Sequence, residues 1–341
     1  MNPQFLHSQT IEDLTHWLED RGEKAYRAKQ LIDWIWRRGI SDPSEMTNLS
    51  LQLREELLRS FCTQPVCLVR REPSLDGETT KILWKLYDGW FVESVLIKAP
   101  GRSTLCVSSQ VGCPVRCVFC ASGKNGFIRN LHAAEISGQV LSIIRTEPIT
   151  NIVYMGMGEP LRNYEAVVES IRRLCDDAGF SRRRITVSTV GVVENIRRLA
   201  EEGVGVNLAL SLHAPSQEIR QKLIPYARQY ALEDVLEAAA YYRSTTGRDV
   251  TYEYILLSGL NDRPQDAQEL CSLLRHCRGS VNLIPYNPVE GLTLKRPATK
   301  EIEQFRAILD REGIANTCRY TKGQDIAAAC GQLALKEAGQ P

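Results

Sequence analysis

The chain has almost no net charge. Its 42 lysines and arginines face 41 aspartates and glutamates, leaving +1 over 341 residues. That balance excludes a uniformly basic nucleic-acid coat and a strongly acidic chain. Long apolar runs are missing too, since no stretch approaches the ~18 residues of a membrane helix. The first twenty residues, MNPQFLHSQTIEDLTHWLED, contain no basic segment followed by an apolar one, so they do not read as a secretory signal. A cytoplasmic protein without membrane association is expected. Internal repeats and low-complexity tracts are also lacking. An apolar content of 43% with 24% charged residues is that of an ordinary globular protein, and the length allows one large core plus something smaller.

Cysteine, by contrast, is abundant. Eleven cysteines is a high and odd count, and without a secretion signal it points to metal binding or catalysis rather than a disulfide framework. Arginine is clustered: Arg37 with Arg38, Arg70 with Arg71, Arg172 with Arg173, Arg182 to Arg184, and Arg197 with Arg198. Each cluster reads either as a phosphate-binding patch or as a solvated helix end. The Arg182–Arg184 triplet is the strongest candidate for the first.

Three regions differ in period. Residues 1–64 read as a small helical accessory domain. Ile11, Leu14, Trp17 and Leu18 share one face, and Thr10 with Asp13 suggests a capping box. Ala28, Leu31, Ile32, Ile35 and Trp36 form a second stripe that stops near Gly39, and Leu49, Leu53, Leu57 and Leu58 a third. Residues 65–103 read as a β-hairpin extension, in which ILWKLY and WFVESVLI flank an Asp88-Gly89 turn of type I′. Residues 104–341 alternate strand and helix. Apolar runs at TLCVSS, NIVYM, ITVST, VNLALSL, VTYEYIL and VNLIPY predict six βα units. The fold class is therefore α/β, an incomplete (βα)6 TIM-like barrel, with its chemistry at the C-terminal strand ends.

The loop after the first barrel strand carries that chemistry. It reads Ser109-Gln-Val-Gly-Cys113-Pro-Val-Arg-Cys117-Val-Phe-Cys120-Ala-Ser-Gly123, with spacing C-x3-C-x2-C. Three thiolates on one tight loop can ligate three irons of a single [4Fe-4S] cluster and leave the fourth iron open. An open iron can chelate S-adenosylmethionine for radical cleavage, so the hard chemistry would belong to the cofactor. Structural zinc normally takes four ligands, and Cys106 sits on the preceding strand rather than on the loop. Phe119 fits an aromatic packed near an adenine.

Over nearly its whole length the sequence resembles the RlmN/Cfr family of radical S-adenosylmethionine RNA methyltransferases. The resemblance rests jointly on CVSSQVGCPVRCVFCASG, MGMGEPLRNY (155–164), ITVSTVG (185–191), SLHAP (211–215), NLIPYNP (282–288) and DIAAACGQL (325–333). It implies that Cys113, Cys117 and Cys120 hold the cluster. It also implies that Gly158, Glu159, Ser188, Ser211, Leu212, His213 and Asn287 bind the cofactor. On the residues alone, Glu159 could take the methionine ammonium or cap an ordinary turn, and the polar residues could be loop packing.

The resemblance implies more for two further cysteines. Cys330 would be methylated by one S-adenosylmethionine and would lose a hydrogen to the radical from a second. The resulting carbon radical would add to an adenine ring carbon. Cys106 would then cut the protein–RNA bond by forming a transient disulfide with Cys330, which a thiol reductant must reset. Read from the residues alone, both cysteines are packing residues. As thiolates they should lie in accessible, polar surroundings. Glu93 in WFVESVLI would be the proton acceptor; by period-2 alternation it could equally face water. Cys62, Cys67, Cys175, Cys271, Cys277 and Cys318 read as packing residues.

The implied substrates are an adenosine of 23S rRNA near the peptidyl-transferase centre and one beside the tRNA anticodon. The remaining implied partners are a flavodoxin-type electron donor and the thiol reductant, for a monomeric enzyme. Pro160 in MGMGEP and Ala214 in SLHAP lean toward C2 methylation, whereas C8 methylation, the antibiotic-resistance activity of the Cfr branch, is the alternative. The CASG stretch departs from the best-known C2 enzymes. Two other classes fit parts of the sequence: a non-catalytic RNA-binding protein with a structural cluster, and a radical enzyme acting on a small molecule or peptide.

Overall fold

The structure, a computed structural model, describes residues 3–124, 126–319 and 322–333. It opens with three helices, α1 (Ile11–Glu19), α2 (Tyr26–Ile32) and α3 (Leu51–Ser60). The capping box forms: Thr10 Oγ1 accepts the Asp13 amide at 3.0 Å, and the Asp13 carboxylate accepts the Thr10 amide at 2.9 Å. A π-helical turn, Asp33–Arg37, extends α2. Leu14, Leu18, Ala28, Leu31, Ile35, Trp36, Leu53 and Leu57 are buried together, as the stripes predict. Ile11 and Leu58 are exposed instead. Leu58 follows Leu57 by about 100° around α3, so the two cannot share a face.

A single ten-stranded sheet follows. Strands β1 (Val66–Pro73), β2 (Thr79–Leu86), β3 (Phe91–Ala99) and β4 (Arg102–Cys106) pair antiparallel in sequence order. Strands β5 (Gln110–Gly112) and β6 (Phe127–Asn130) form a separate hairpin bracketing the cysteine loop and its short helix α4 (Ala121–Lys124). The sheet then continues in parallel from β4 through β7 (Asn151–Tyr154), β8 (Ile185–Thr189), β9 (Asn207–Ser211), β10 (Val250–Leu256), β11 (Gly279–Pro285) and β12 (Asn316–Cys318). The crossovers are α5 (Ala133–Ile144), α6 (Tyr164–Asp176), α7 (Val193–Glu201), α8 (Gln217–Leu223) with α9 (Leu232–Thr246), α10 (Pro264–Leu274) and α11 (Thr299–Arg311). The sheet runs from β1 at one edge to β12 at the other, so the barrel is open, as expected for an incomplete one.

The six predicted barrel strands are all present. β12 is an addition, a three-residue strand without an apolar run, held by its register against Val281–Leu283. The hairpin is not an appendage: β2 and β3 are interior strands of the main sheet, and β1, an unpredicted strand, flanks them. Its turn is also different. Asp88 does not have positive φ, whereas Gly89 does, at 90°. The Gly89 amide donates to Leu86 O at 3.0 Å and Leu86 N to Trp90 O at 2.7 Å. This is a three-residue loop, a type I turn closed by a left-handed glycine, and not type I′.

Parallel strands bring their following loops to one end of the sheet. Gln139 on α5 ties this end to the antiparallel side. Its side chain accepts from Ser94 Oγ at 2.6 Å and Ser108 N at 3.0 Å, and donates to Ser108 O at 2.9 Å. Ser108 Oγ in turn donates to Glu93 O at 2.6 Å.

Candidate active site

The cysteine loop leaves β5 and folds back on itself. Cys113 N donates to Gly126 O at 2.9 Å and Cys120 N to Cys117 O at 3.2 Å, while Arg116 adopts positive φ at 58°. The three thiols are half-buried. Burial pushes all three up, Cys113 to about 12, and each is raised further by neighbouring anions that include the other cysteines. Among the described residues no three His, Cys, Asp or Glu side chains gather as ligands of one metal ion. The donor set suits a cluster instead. Its thiolates bind separate irons, and its positive core offsets the mutual repulsion and burial that oppose three bare thiolates here.

The loops after β7, β8 and β9 lie beside this one. Gly158 has φ 106°, and a Cβ there would meet Gln110 Cβ at 2.6 Å, so only glycine lets the two loops approach. Glu159 is buried. Its amide donates to Gln110 Oε1 at 2.8 Å, and its carboxylate accepts from Leu161 N at 3.1 Å and Val190 N at 2.8 Å. Burial raises it to about 7 despite those bonds. The carboxylate therefore both ties β7 to β8 and retains lone pairs for a cation. Ser188 and Ser211 face each other with hydroxyls 3.4 Å apart.

Leu212 lies wholly in the core, so any ligand contact from it is through backbone. His213 is buried at φ 60°, accepts Ile255 N on Nδ1 at 3.0 Å, and stands edge-on to Phe119 with ring centroids 5.1 Å apart. Burial, then the nearby Arg220 charge, pulls it down to about 3. It is a neutral packing imidazole, not an acid or base at neutral pH.

The last described segment, 322–333, crosses the mouth as a strap. The Asp325 carboxylate accepts Leu75 N at 2.8 Å, and Lys81 Nζ donates to Ile326 O at 2.6 Å. At its other end Ala121 N donates to Gly331 O at 2.8 Å, Ser122 Oγ to Leu333 O at 2.7 Å, and Asn287 Nδ2 to Cys330 O at 3.3 Å. The strap closes a cavity of about 440 Å³ onto which Cys106, Cys120, Cys330, Asn287, Met155 and Arg319 all open.

Cys330 is exposed, but Cys106 is not. Cys106 ends β4 opposite Val95, and burial pushes its thiol to about 12. An accessible, polar setting is thus correct for Cys330 and wrong for Cys106, which the strand packs against the core. Glu93 shares the sheet face of Val95 and Cys106, being two residues from Val95 along β3. It is 6% exposed, with Lys81 Nζ at 3.9 Å. The water-facing alternative fails, because β3 is an interior strand covered on both faces.

Arg319 was not picked out from the sequence. It follows β12, donates from Nη1 to Cys330 Sγ at 3.6 Å, and lies 3.7 Å from Glu253. Its charge also favours the Cys106 thiolate. No motif marks it, and only its place just before the strap could have drawn attention. The arginine clusters are mostly spent on acids: Arg38 on Asp33, Arg71 on Glu147, Arg172 on Glu202, Arg173 on Asp177, Arg182 on Asp176, Arg197 on Glu237 and Arg198 on Glu165 and Glu202. Arg183 and Arg184 are exposed.

Residues 107–271 match the model of the radical SAM superfamily, and residues 6–63 that of the ribosomal RNA large subunit methyltransferase N-terminal domain. The chain is 56% identical over 340 residues to the probable dual-specificity RNA methyltransferase RlmN 2 of Protochlamydia amoebophila, covering 98% of this chain and 94% of that protein. The chain belongs to the RlmN family. The Thermotoga maritima family member, named a probable dual-specificity RNA methyltransferase RlmN, is 46% identical over 96% of both chains. A crystal structure of a radical SAM methyltransferase from Sphaerobacter thermophilus superposes with a TM-score of 0.94 at 44% identity, covering 97% of this chain and 99% of that one. Radical SAM enzymes use a [4Fe-4S] cluster and S-adenosylmethionine, the cofactors the cysteine spacing calls for. No helix among the described residues is long and apolar enough to cross a membrane.

Proposed function

We propose that this chain methylates C2 of adenosine in 23S rRNA and tRNA, passing the methyl group through Cys330. The observation that carries this reading is the single cavity shared by Cys106, Cys120 and Cys330. Its volume suits a flipped-out base.

On this reading Cys113, Cys117 and Cys120 would hold a [4Fe-4S] cluster, which would supply the electron for reductive cleavage of S-adenosylmethionine to methionine and a 5′-deoxyadenosyl radical. Gly158, Glu159, Ser188, Ser211, His213, Asn287 and the Leu212 backbone hold the cofactor. The Cys330 sulfur first takes a methyl group from a sulfonium by displacement, with the Arg319 guanidinium donating to that sulfur. Transfer of one hydrogen atom from that methyl group to the 5′-deoxyadenosyl radical would leave a carbon radical on Cys330, which would add to C2. That ring position is electron-poor, and a radical does not require it to be a nucleophile. Glu93 would accept the C2 proton, and the adduct radical would return one electron to the oxidised cluster as the ring regains aromaticity. The Cys106 thiolate then attacks the Cys330 sulfur, forms the disulfide, and releases a carbon that takes a proton to become methyl. A thiol reductant returns both cysteines to the reduced state.

A flavodoxin-type donor, a monomeric state and a cytoplasmic location complete the proposal. Mass spectrometry of digested rRNA and tRNA from cells with and without the gene tests it. The expected result is 2-methyladenosine lost with the gene; 8-methyladenosine in its place would show the Cfr-type reaction.

A further inference from the structure

Arg220, on α8, is 1% exposed. It is not a surface cation with a buried stem, because its guanidinium is interior. Its Nε donates to Leu212 O at 3.2 Å, and Nη2 donates to Val190 O and to Ser211 O at 3.3 Å. All three partners are neutral carbonyls at the ends of β8 and β9. Among the described residues no carboxylate pairs with it, whereas its helix neighbours Glu218 and Lys222 pair with each other on the surface. Its helix packs on the cysteine loop: Val118 N, next to Cys117, donates to Leu223 O of α8 at 3.0 Å, and Cys117 is the thiol whose charge, once ionised, acts on Arg220. Its charge also acts on His213, whose buried ring is neutral.

A buried charge without a counter-charge is strongly unfavourable. Two features keep Arg220 charged. Burial lowers its pKa only to about 10, so it stays protonated at neutral pH. Its donors are fixed by carbonyls that belong to the strand ends holding Ser211 and Leu212.

We propose that Arg220 is the buried counter-ion of the iron–sulfur centre, a positioning residue that raises its reduction potential through the Cys117 side. This rests on the reading that Cys113, Cys117 and Cys120 hold the cluster. One electron, delivered by a one-electron donor protein or by dithionite, makes the oxidised thiolate-ligated centre more negative by one charge. A fixed cation at hand stabilises the reduced form more than the oxidised one, and net charge is among the main determinants of cluster potentials. The same guanidinium pins the carbonyls of Val190, Ser211 and Leu212, so the charge and the shape of the cofactor cradle are set by one side chain.

The test uses the full chain with its cluster reconstituted anaerobically, in wild type, Arg220→Lys, Arg220→Gln and Arg220→Met. The midpoint potential is read from the electron paramagnetic resonance signal of the reduced cluster during a dithionite titration. Wild type reports on the cluster assignment by itself: if wild type takes up no cluster, or if Cys117→Ala retains an unaltered one, that assignment fails before Arg220 is at issue. With the cluster loaded, Gln and Met should move the midpoint to more negative values while Lys stays near wild type. Failure of Gln and Met to load where Lys loads would also support the counter-ion role. Loaded Gln or Met with a wild-type midpoint would overturn it, as would a Lys variant that fails to load, since the side chain would then act by shape alone.

Discussion

Cys106 and Cys330 open onto the same cavity but are held in opposite ways. Cys106 ends a strand, faces Val95 across β3 and β4, and is buried, with its thiol raised to about 12. Cys330 lies on a strap fixed by a few hydrogen bonds, exposed, with Arg319 on its sulfur. The difference teaches which is free to move and which is held in place and kept protonated. In the proposed route Cys330 takes a methyl group from the cofactor and passes it to a base, a task that suits a loop. In the same route Cys106 acts only after the transfer, a task that suits a strand and a thiol kept protonated. Premature attack of Cys106 on the Cys330–RNA adduct is thereby disfavoured, because attack requires a thiolate.

The strongest way to break this contrast is to remove each thiol. Cys330→Ala should abolish RNA methylation, because no other described thiol on the strap can carry the group. Cys106→Ala should leave radical addition intact and stop release, giving a covalent protein–RNA adduct that survives denaturing electrophoresis. Equal loss without adduct in both variants would erase the distinction. Alkylation of the apo chain by iodoacetamide sharpens it. A thiol near 12 carries about a thousandfold less thiolate than an ordinary one, so at pH 8 Cys106 should be alkylated about a thousandfold more slowly than a free model thiol, with the exposed Cys330 labelled first by peptide mass spectrometry. The Cys106 rate should rise tenfold per pH unit towards about 12 while the fold persists. The sign for stability is the same. Burying the neutral Cys106 thiol stabilises the fold below the ordinary thiol range, and the contribution is lost as pH rises through about 12.

A smaller effect concerns the base. Glu93→Gln should slow RNA methylation by about 10²-fold, the usual cost of a lost proton acceptor, while methylation of Cys330 itself is unchanged. The smallest effect concerns the strap. Asp325→Ala removes the bond to Leu75 N, worth about 1 kcal/mol, and should speed hydrogen exchange within 326–333 about fivefold. Exchange at Cys106 on β4 should not change.

The sequence made the cysteine loop and the six barrel strands legible because both depend on local pattern: a fixed thiol spacing, and short β-branched runs between amphipathic helices. The Thr10–Asp13 cap was legible for the same reason. What escaped depends on distant partners. β12 has three residues and exists only through its register with β11. Glu93 could not be placed until β2 and β3 were seen as interior strands with Lys81 across from it. The turn at Gly89 turned on the φ of Asp88, which a dipeptide does not disclose. Arg319 and Arg220 carry no motif, and each acquires meaning from a cysteine far away in sequence. The burial of Cys106 reversed an expectation drawn from chemistry alone, that a reactive thiol lies in accessible, polar surroundings.

The most direct test of the methyl route is a turnover with S-adenosylmethionine deuterated in its methyl group, followed by mass spectrometry of the chain, the RNA and the nucleoside product. Passage through Cys330 predicts a trideuteromethyl group on Cys330 before RNA is added. After RNA is added it predicts one deuteron in 5′-deoxyadenosine and 2-methyladenosine with two deuterons and one solvent proton. A methyladenosine keeping all three deuterons, with Cys330 unlabelled, would contradict it.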